Sequence, residues 1–286
     1  MIQSMTGFGK ATLQLPGKKI TIEVKSLNSK GLDLNVRMPS VYREMELGLR
    51  NQISAALERG KIDFSIYVET SAELTASKVN VPIVKAYINQ LREVYAEADE
   101  TELMKMAVRM PDALKTDREE IDENDWVQIQ TVIDESLANI VNFRKDEGQS
   151  LEKEFQLRIG NIRSLMEQAL ALDPERVQAI KDRLQTAISE LKVNVDENRF
   201  EQELIYYLEK LDITEEKVRL TNHLDYFLET IKGNEANGRK LGFITQEMGR
   251  EINTMGSKSN HAQMQKIVVM MKDELEKIKE QVLNVL

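Results

Sequence analysis

The 286-residue chain contains no cysteine. That excludes a disulfide framework, a thiolate-ligated zinc ion and a thiol nucleophile. Histidine is scarce too: only His223 and His261 occur, and no HExxH pair is present. No window approaches the roughly 20 apolar residues that a bilayer span requires. The opening MIQSMTGFGK has no apolar run behind a basic start, so it does not read as a secretory signal. A cytoplasmic protein with no membrane partner is the expectation. Neither GxxxxGKS, GxxxxGKT nor a GxGxxG behind a strand occurs, so no nucleotide cofactor is expected. Gly7-Phe8-Gly9 is too short for a dinucleotide loop and is expected to shape a strand end. Aromatics make up 5% of residues, which argues against a base-stacking sheet.

What is present is 41% hydrophobic and 30% charged, a helix-leaning globular profile long enough for one large domain or two ordinary ones. The net charge of −9 is unevenly placed. Residues 1–40 hold six basic groups against Glu23 and Asp33, for +4, and Arg239–Lys258 carries +2, leaving −15 elsewhere. Two basic islands on an acidic body suit an anionic ligand, although local bias alone would also produce them.

The periodicities predict an α+β protein. Its N-terminal, β-rich α+β domain covers residues 1–155, a long helical arm 156–200, and a coiled-coil-like C-terminal helical domain 201–286. Lys18–Leu27 and Leu32–Met38 alternate as strands, and Ile62–Val68 reads as another. Between them Val41–Leu57 is helical, with Met45, Leu49, Ile53 and Leu57 on one face and Gly60 expected as the C-terminal cap. Val81–Ala98 predicts a second helix, and Asp112–Asp125 an acidic loop. From Trp126 the chain reads as helix almost throughout. Breaks fall at Asp173-Pro174, Val193–Asp196 and Gly233–Gly238, and the last helix carries a seam of Ile267, Met271, Leu275, Ile278 and Val282.

The segment Arg239–Lys258, RKLGFITQEMGREINTMGSK, is unusual for a helix. Ile244, Met248, Ile252 and Met255 form its apolar face, with Glu247, Glu251, Thr254 and Lys258 in the adjoining stripe. Gln246, Arg250, Asn253 and Ser257 form the next. Asn, Thr and Ser are poor choices for a merely solvated helix. Two carboxylates one turn apart among them suit a hard divalent cation; ordinary i,i+4 surface pairing is the alternative, as is a polar seam between helices. His223 shares a helix face with Glu216 and Arg219, an arrangement suited to proton transfer beside a phosphate. Spacing alone favours a half-buried interface histidine.

Several segments together resemble one family. SMTGFG at Ser4–Gly9, EVKSLNSKGLD at Glu23–Asp33 and ERGKID at Glu58–Asp63 resemble the N-terminal region of the YicC (YloC) family. NRFEQEL at Asn198–Leu204, EEKVRLTNHLDYF at Glu215–Phe227, GRKLGFITQEMGREINTMGSKS at Gly238–Ser259 and ELEKIKEQVLN at Glu274–Asn284 resemble its C-terminal part. The resemblance implies an endoribonuclease of RNA turnover and stress response, dependent on a divalent metal such as Mn or Mg. It also implies a ring-like hexamer that clamps RNA. The family commonly ends in QNIE or similar, whereas this chain ends LNVL, and His261 stands where the family more often has a polar or acidic residue.

The expected site follows from the residues and the resemblance together. His223, held by Glu216, is the acid or base, and Glu247 and Glu251 are the metal carboxylates and count among the catalytic groups. Lys25, Asn28, Lys30, Arg219, Arg239, Arg250, Asn253 and Lys258 are the RNA contacts, because ammonium and guanidinium groups suit phosphate oxygens. Cleavage of single-stranded or loop RNA is the expected reaction. The alternatives are an RNA-binding adaptor without catalysis, presenting RNA to another nuclease, and a helical scaffold whose polar seam sets oligomer register.

Overall fold

A computed structural model describes residues 2–70, 78–115, 123–191, 197–233 and 238–286. The chain is α+β, with a four-stranded sheet near the N-terminus followed by long helices. It divides into two compact units: Phe8–Ser26 with Gly31–Val141, and Met1–Gly7 with Leu27–Lys30 and Asn142–Leu286.

The first unit holds the sheet. Its strands are β1 (Gly7–Leu15), β2 (Lys18–Leu27), β3 (Leu32–Arg37) and β4 (Gly60–Thr70), in the order β1-β2-β4-β3. β3 and β4 are parallel, in register from Leu32 opposite Gly60 to Arg37 opposite Ser65, and α1 (Glu46–Leu57) makes the crossover between them. Alternation decides the faces. Ile20, Ile22, Val24, Ile62, Phe64 and Ile66 are buried, together with Leu49, Ile53 and Leu57 of α1. Ile129, Ile133, Leu137 and Ile140 of the long helix α4 (Glu123–Ala171) belong to the same core.

Several expectations are corrected here. The helix predicted from Val41 starts as a 3-10 turn over Ser40–Met45 and becomes α-helical only at Glu46. Gly60 does not cap α1: Glu58 closes that helix with φ 43°, and Gly60, at φ 126°, opens β4. Gly7-Phe8-Gly9 does form the N-terminal end of the first strand, with Gly7 beginning β1 and Gly9 inside it. A Cβ at Gly9 would collide with the Ser136 carbonyl oxygen and come within 2.9 Å of the Ile140 amide nitrogen, so α4 can cross the strand only over glycine. Helix α2 (Val81–Val94) stops short of Ala98. An unforeseen helix, α3 (Glu100–Ala107), follows, capped by the Asp99 carboxylate accepting from the Glu102 amide at 3.2 Å. The short strands β5 (Lys78–Val79) and β6 (Leu114–Lys115) pair antiparallel, so the predicted acidic loop Asp112–Asp125 contains β6 near its start and runs into α4 at Glu123. Its middle lies outside the described residues.

The second unit is helical: the latter part of α4, then α5 (Asp173–Leu191), α6 (Glu197–Lys210), α7 (Thr214–Lys232), α8 (Gly238–Lys258) and α9 (Ala262–Val282). The predicted break at Val193–Asp196 lies outside the described residues. The predicted stripes are interior: Ile244, Met248, Ile252 and Met255 of α8 are buried against Leu220, Leu224, Phe227 and Ile231 of α7 and Met271, Leu275, Ile278 and Val282 of α9. Phe155 of α4 meets Phe227 edge-on at 5.3 Å. The two chain ends close the unit. Ser4 and Val285 form an antiparallel bridge, the Met5 amide donates to Asn284 O at 2.8 Å, and the Leu286 amide donates to Gln3 O at 2.9 Å.

Glu274 of α9 is a buried anchor. Its carboxylate accepts from Asn161 Nδ2 and Lys277 Nζ, each at 2.8 Å, and from Arg158 at 3.3 Å. Burial alone would raise its pKa, but the bonds from Lys277, Asn161 and Arg158 outweigh that and hold it at about 2. The folded value lies below the unfolded one, so the carboxylate stabilises the fold above about pH 4.5 and loses that contribution as pH falls toward 2. Urea melts should therefore find Glu274→Gln less stable than wild type by about 2–3 kcal/mol near pH 7, a difference that shrinks by pH 3. A gap independent of pH would mean that shape rather than charge anchors α9.

Candidate active site

Helices α7 and α8 are consecutive, and Lys258 at the end of α8 reaches Glu216 in the first turn of α7, so the two form an antiparallel hairpin. Lys258 Nζ donates to Glu216 Oε1 at 2.7 Å and to the Asp212 carbonyl at 2.8 Å. That contact sets the register. Seven residues along α7 from Glu216 is His223, and seven back along α8 from Lys258 is Glu251. Each interval is two turns, about 10.5 Å, so His223 and Glu251 lie at the same level of the hairpin.

Both have chemical capacity to spare. Glu251 is 8% exposed, His223 is half-buried, and among the described residues neither side chain has a hydrogen-bond or ion-pair partner. Glu216 is 4% exposed, and its second oxygen, Oε2, is buried without a partner. Buried polar atoms left unpaired are uncommon and need a reason. One hairpin face thus combines an imidazole, a carboxylate with no internal task and an ammonium held in place.

Other residues hold this arrangement, and no local pattern in the sequence singles them out. Arg176 of α5 is 2% exposed. It is bonded to Asp173 Oδ1 at 2.8 Å and donates to the Lys258 carbonyl at 3.2 Å, fastening the end of α8. Asp212 accepts from the Thr214 hydroxyl at 2.8 Å, which is the main reason its pKa is lowered, with Lys258 contributing. Local spacing signals Asp173 as a helix start, but nothing local reveals the span from Arg176 to Lys258.

The remaining predicted residues separate. Glu216 does not hold His223; two helical turns divide them, and its carboxylate is bonded to Lys258 instead. Glu247 accepts from Arg250 at 2.6 Å, the ordinary surface pairing, with Arg250 mostly exposed. Arg219 pairs with Glu215 and is exposed. Thr254 and Ser257 turn their hydroxyls onto the Arg250 and Thr254 carbonyls. Arg239 is exposed in the first turn of α8, about 28 Å along the axis from Lys258, and Asn253 is exposed near the other end. Asn28 donates to the Leu283 carbonyl at 2.5 Å, a tie to the C-terminal segment, and Lys30 is exposed nearby in the chain. Lys25 belongs to the sheet unit, where it pairs with Glu23 at 3.4 Å. His261 caps α9 by accepting from the Met264 amide.

A divalent cation fits this site only in one manner. Among the described residues no group of three or more His, Asp or Glu side chains is placed to enclose a metal. An all-protein cage is therefore absent there. Mg²⁺ and Mn²⁺ do not require one, since they commonly take one or two carboxylates and fill their shells with water and phosphate oxygens. The carboxylate of Glu251, unpaired among the described residues on a side chain that is only 8% exposed, suits that role, with Glu247 one turn away, although Arg250 competes for it.

Comparison with known proteins finds similarity along nearly the whole chain. Residues 2–153 match the family model described as "Endoribonuclease YicC-like, N-terminal region", and residues 169–286 match "Endoribonuclease YicC-like, C-terminal". A Clostridioides difficile protein named "Probable endoribonuclease YicC" is 32% identical over 296 aligned residues, covering 100% of both chains. A Haemophilus influenzae protein of the same name is 30% identical over 286 residues, covering 99% of each. Among the described residues no helix is long and apolar enough to cross a membrane. With two matching models spanning nearly its whole length, the chain belongs to the YicC-like endoribonuclease family.

Proposed function

We propose that this protein is a divalent-metal-dependent endoribonuclease that cuts single-stranded or loop RNA, acting in RNA turnover under stress and assembling as a homohexamer. The observation that carries the reading is the placement of His223 and Glu251 at one level of the α7–α8 hairpin, neither with a partner among the described residues. Lys258, held by Glu216 and the Asp212 carbonyl, offers positive charge to a phosphate at the same face. His223 moves the proton at the reacting phosphodiester, and Glu251, with Glu247, would hold the cation. When bound, the cation neutralises phosphate charge and lowers the pKa of a coordinated water. Lys25, Lys30, Asn28, Arg219, Arg239, Arg250 and Asn253 supply outlying RNA contacts rather than chemistry.

Glu251→Gln tests this most directly, because it keeps shape and hydrogen bonding while removing the charge. Cleavage of a single-stranded RNA should fall at least tenfold. Half-maximal activity should shift to higher Mn²⁺, and light scattering should find the assembly unchanged. Wild-type-like cleavage across the metal titration would remove Glu251 from the site. A wild-type protein that binds RNA without ever cutting it would favour the adaptor.

A further inference from the structure

The open face of the four-stranded sheet carries a recess that the α7–α8 site does not explain. With Ile62, Phe64 and Ile66 turned into the core, alternation turns Asp63, Ser65 and Tyr67 outward. They line a pocket of about 190 Å³ with Glu23 and Lys25 of β2 and Arg37 of β3. All six lie within the sheet unit. Tyr67 is 51% exposed, so its ring is open to solvent at the mouth of the recess. On neighbouring β1, Phe8 is also exposed, with Lys25 Nζ 5.8 Å from its ring centre.

The acidic groups of the recess are largely engaged. Glu23 accepts from Lys10 at 3.1 Å and pairs with Lys25 at 3.4 Å, and the bond from Lys10 is the main cause of its lowered pKa. Asp63 accepts from Asn35 Nδ2 through Oδ1, and its Oδ2 has no partner among the described residues. The Arg37 guanidinium, the Ser65 hydroxyl and the Tyr67 hydroxyl have no partner among the described residues. Among the described residues, the recess therefore presents a free cation, a free acceptor and a free ring within one small concavity.

We infer that this recess binds one unpaired nucleotide of single-stranded RNA: the base stacks on Tyr67, its exocyclic amino group donates to Asp63 Oδ2, and Arg37 takes the adjoining phosphate. Stacking on an aromatic side chain is the ordinary way a protein holds an unpaired base, and a carboxylate oxygen is a natural acceptor for a base amino group. Uracil has no exocyclic amino group, so cytosine- or adenine-containing RNA is favoured over oligouridine. Phe8 with Lys25 offers a further ring and charge along the same face. The inference rests on the reading that the protein acts on RNA, and it adds a substrate-gripping surface on the sheet unit.

The test uses full-length protein with fluorescein-labelled oligocytidine and oligouridine, in EDTA so that binding is measured without cleavage. Wild type should prefer oligocytidine. Tyr67→Ala should weaken that binding about 5- to 100-fold, whereas Tyr67→Phe should stay within about twofold. Arg37→Ala should lower the salt dependence by about one unit of slope or less. In metal-containing buffer, the single-turnover rate at saturating RNA should remain within about twofold of wild type for each variant. Tyr67→Ala binding both RNAs as wild type does would overturn the sheet-face site while leaving the hairpin reading intact. A Tyr67→Ala protein that binds normally but has a lower saturating rate would overturn it as well. No RNA binding by wild type at low salt would sink the RNA reading itself.

Discussion

Replacing His223 by alanine should leave RNA binding nearly intact and lower the single-turnover cleavage rate about 10²–10⁴-fold, the range for loss of a true general acid or base. The structure favours a clean result. His223 is half-buried and has no hydrogen-bond partner among the described residues, so its removal orphans no buried donor or acceptor. Truncation at such a site should cost about 1 kcal/mol of stability. Added imidazole should restore part of the rate, because a small diffusible base can enter the space the side chain leaves. Binding that falls in parallel with cleavage would make His223 an RNA contact and favour the adaptor. A variant that unfolds, yet cleaves normally once refolded, would make it a packing residue.

The second large effect concerns the fold of the sheet unit. Gly9→Ala adds one methyl group where the backbone of α4 passes directly over β1, meeting the Ser136 carbonyl oxygen and the Ile140 amide nitrogen. Neither neighbour is a flexible side-chain end. Strand and helix would have to separate, and the cost should reach about 3 kcal/mol or more, at the upper end for overpacking. Gly148→Ala should be similarly costly, since its Cβ would meet the Ile2 carbonyl oxygen, and that segment is fixed by the hydrogen bonds of Ser4, Met5 and Leu286 and by the burial of Ile2. Denaturant melts should show a large loss for both variants. Equal and small losses would mean that α4 slides over β1 without penalty.

How much of this was legible depends on the distance over which each feature is decided. The alternation of Ile20, Ile22 and Val24 and the stripe of Ile244, Met248, Ile252 and Met255 are local patterns, and the burial of all seven follows from them. Helix α3 escaped because ETELMKMA is only two turns long, with its apolar face resting on a small core of Val84, Ala107 and Ala113. β1 escaped because Gly7 and Gly9 weaken an alternation that Ala11, Leu13 and Leu15 otherwise carry. A low aromatic content argued against a stacking surface, but composition counts rings and cannot say that Phe8 and Tyr67 share an open sheet face.

By itself, the sequence determined the class of the fold, the absence of thiol chemistry and the polar stripes of α7 and α8 on which the candidate site lies. A helical or strand period is a property of adjacent residues, so burial by face is written into the chain. Which polar groups remain free was decided only by the tertiary structure. Glu247, Glu251 and Glu216 look alike as carboxylates on helices, yet Arg250 takes the first, Lys258 takes one oxygen of Glu216, and Glu251 is buried with no partner among the described residues. Partnership of that kind turns on the register of a hairpin joining residues 42 apart and on Arg176 reaching across 82 residues to the end of α8. Ion pairs and hydrogen bonds act over a few ångströms, so only the assembled helices select them.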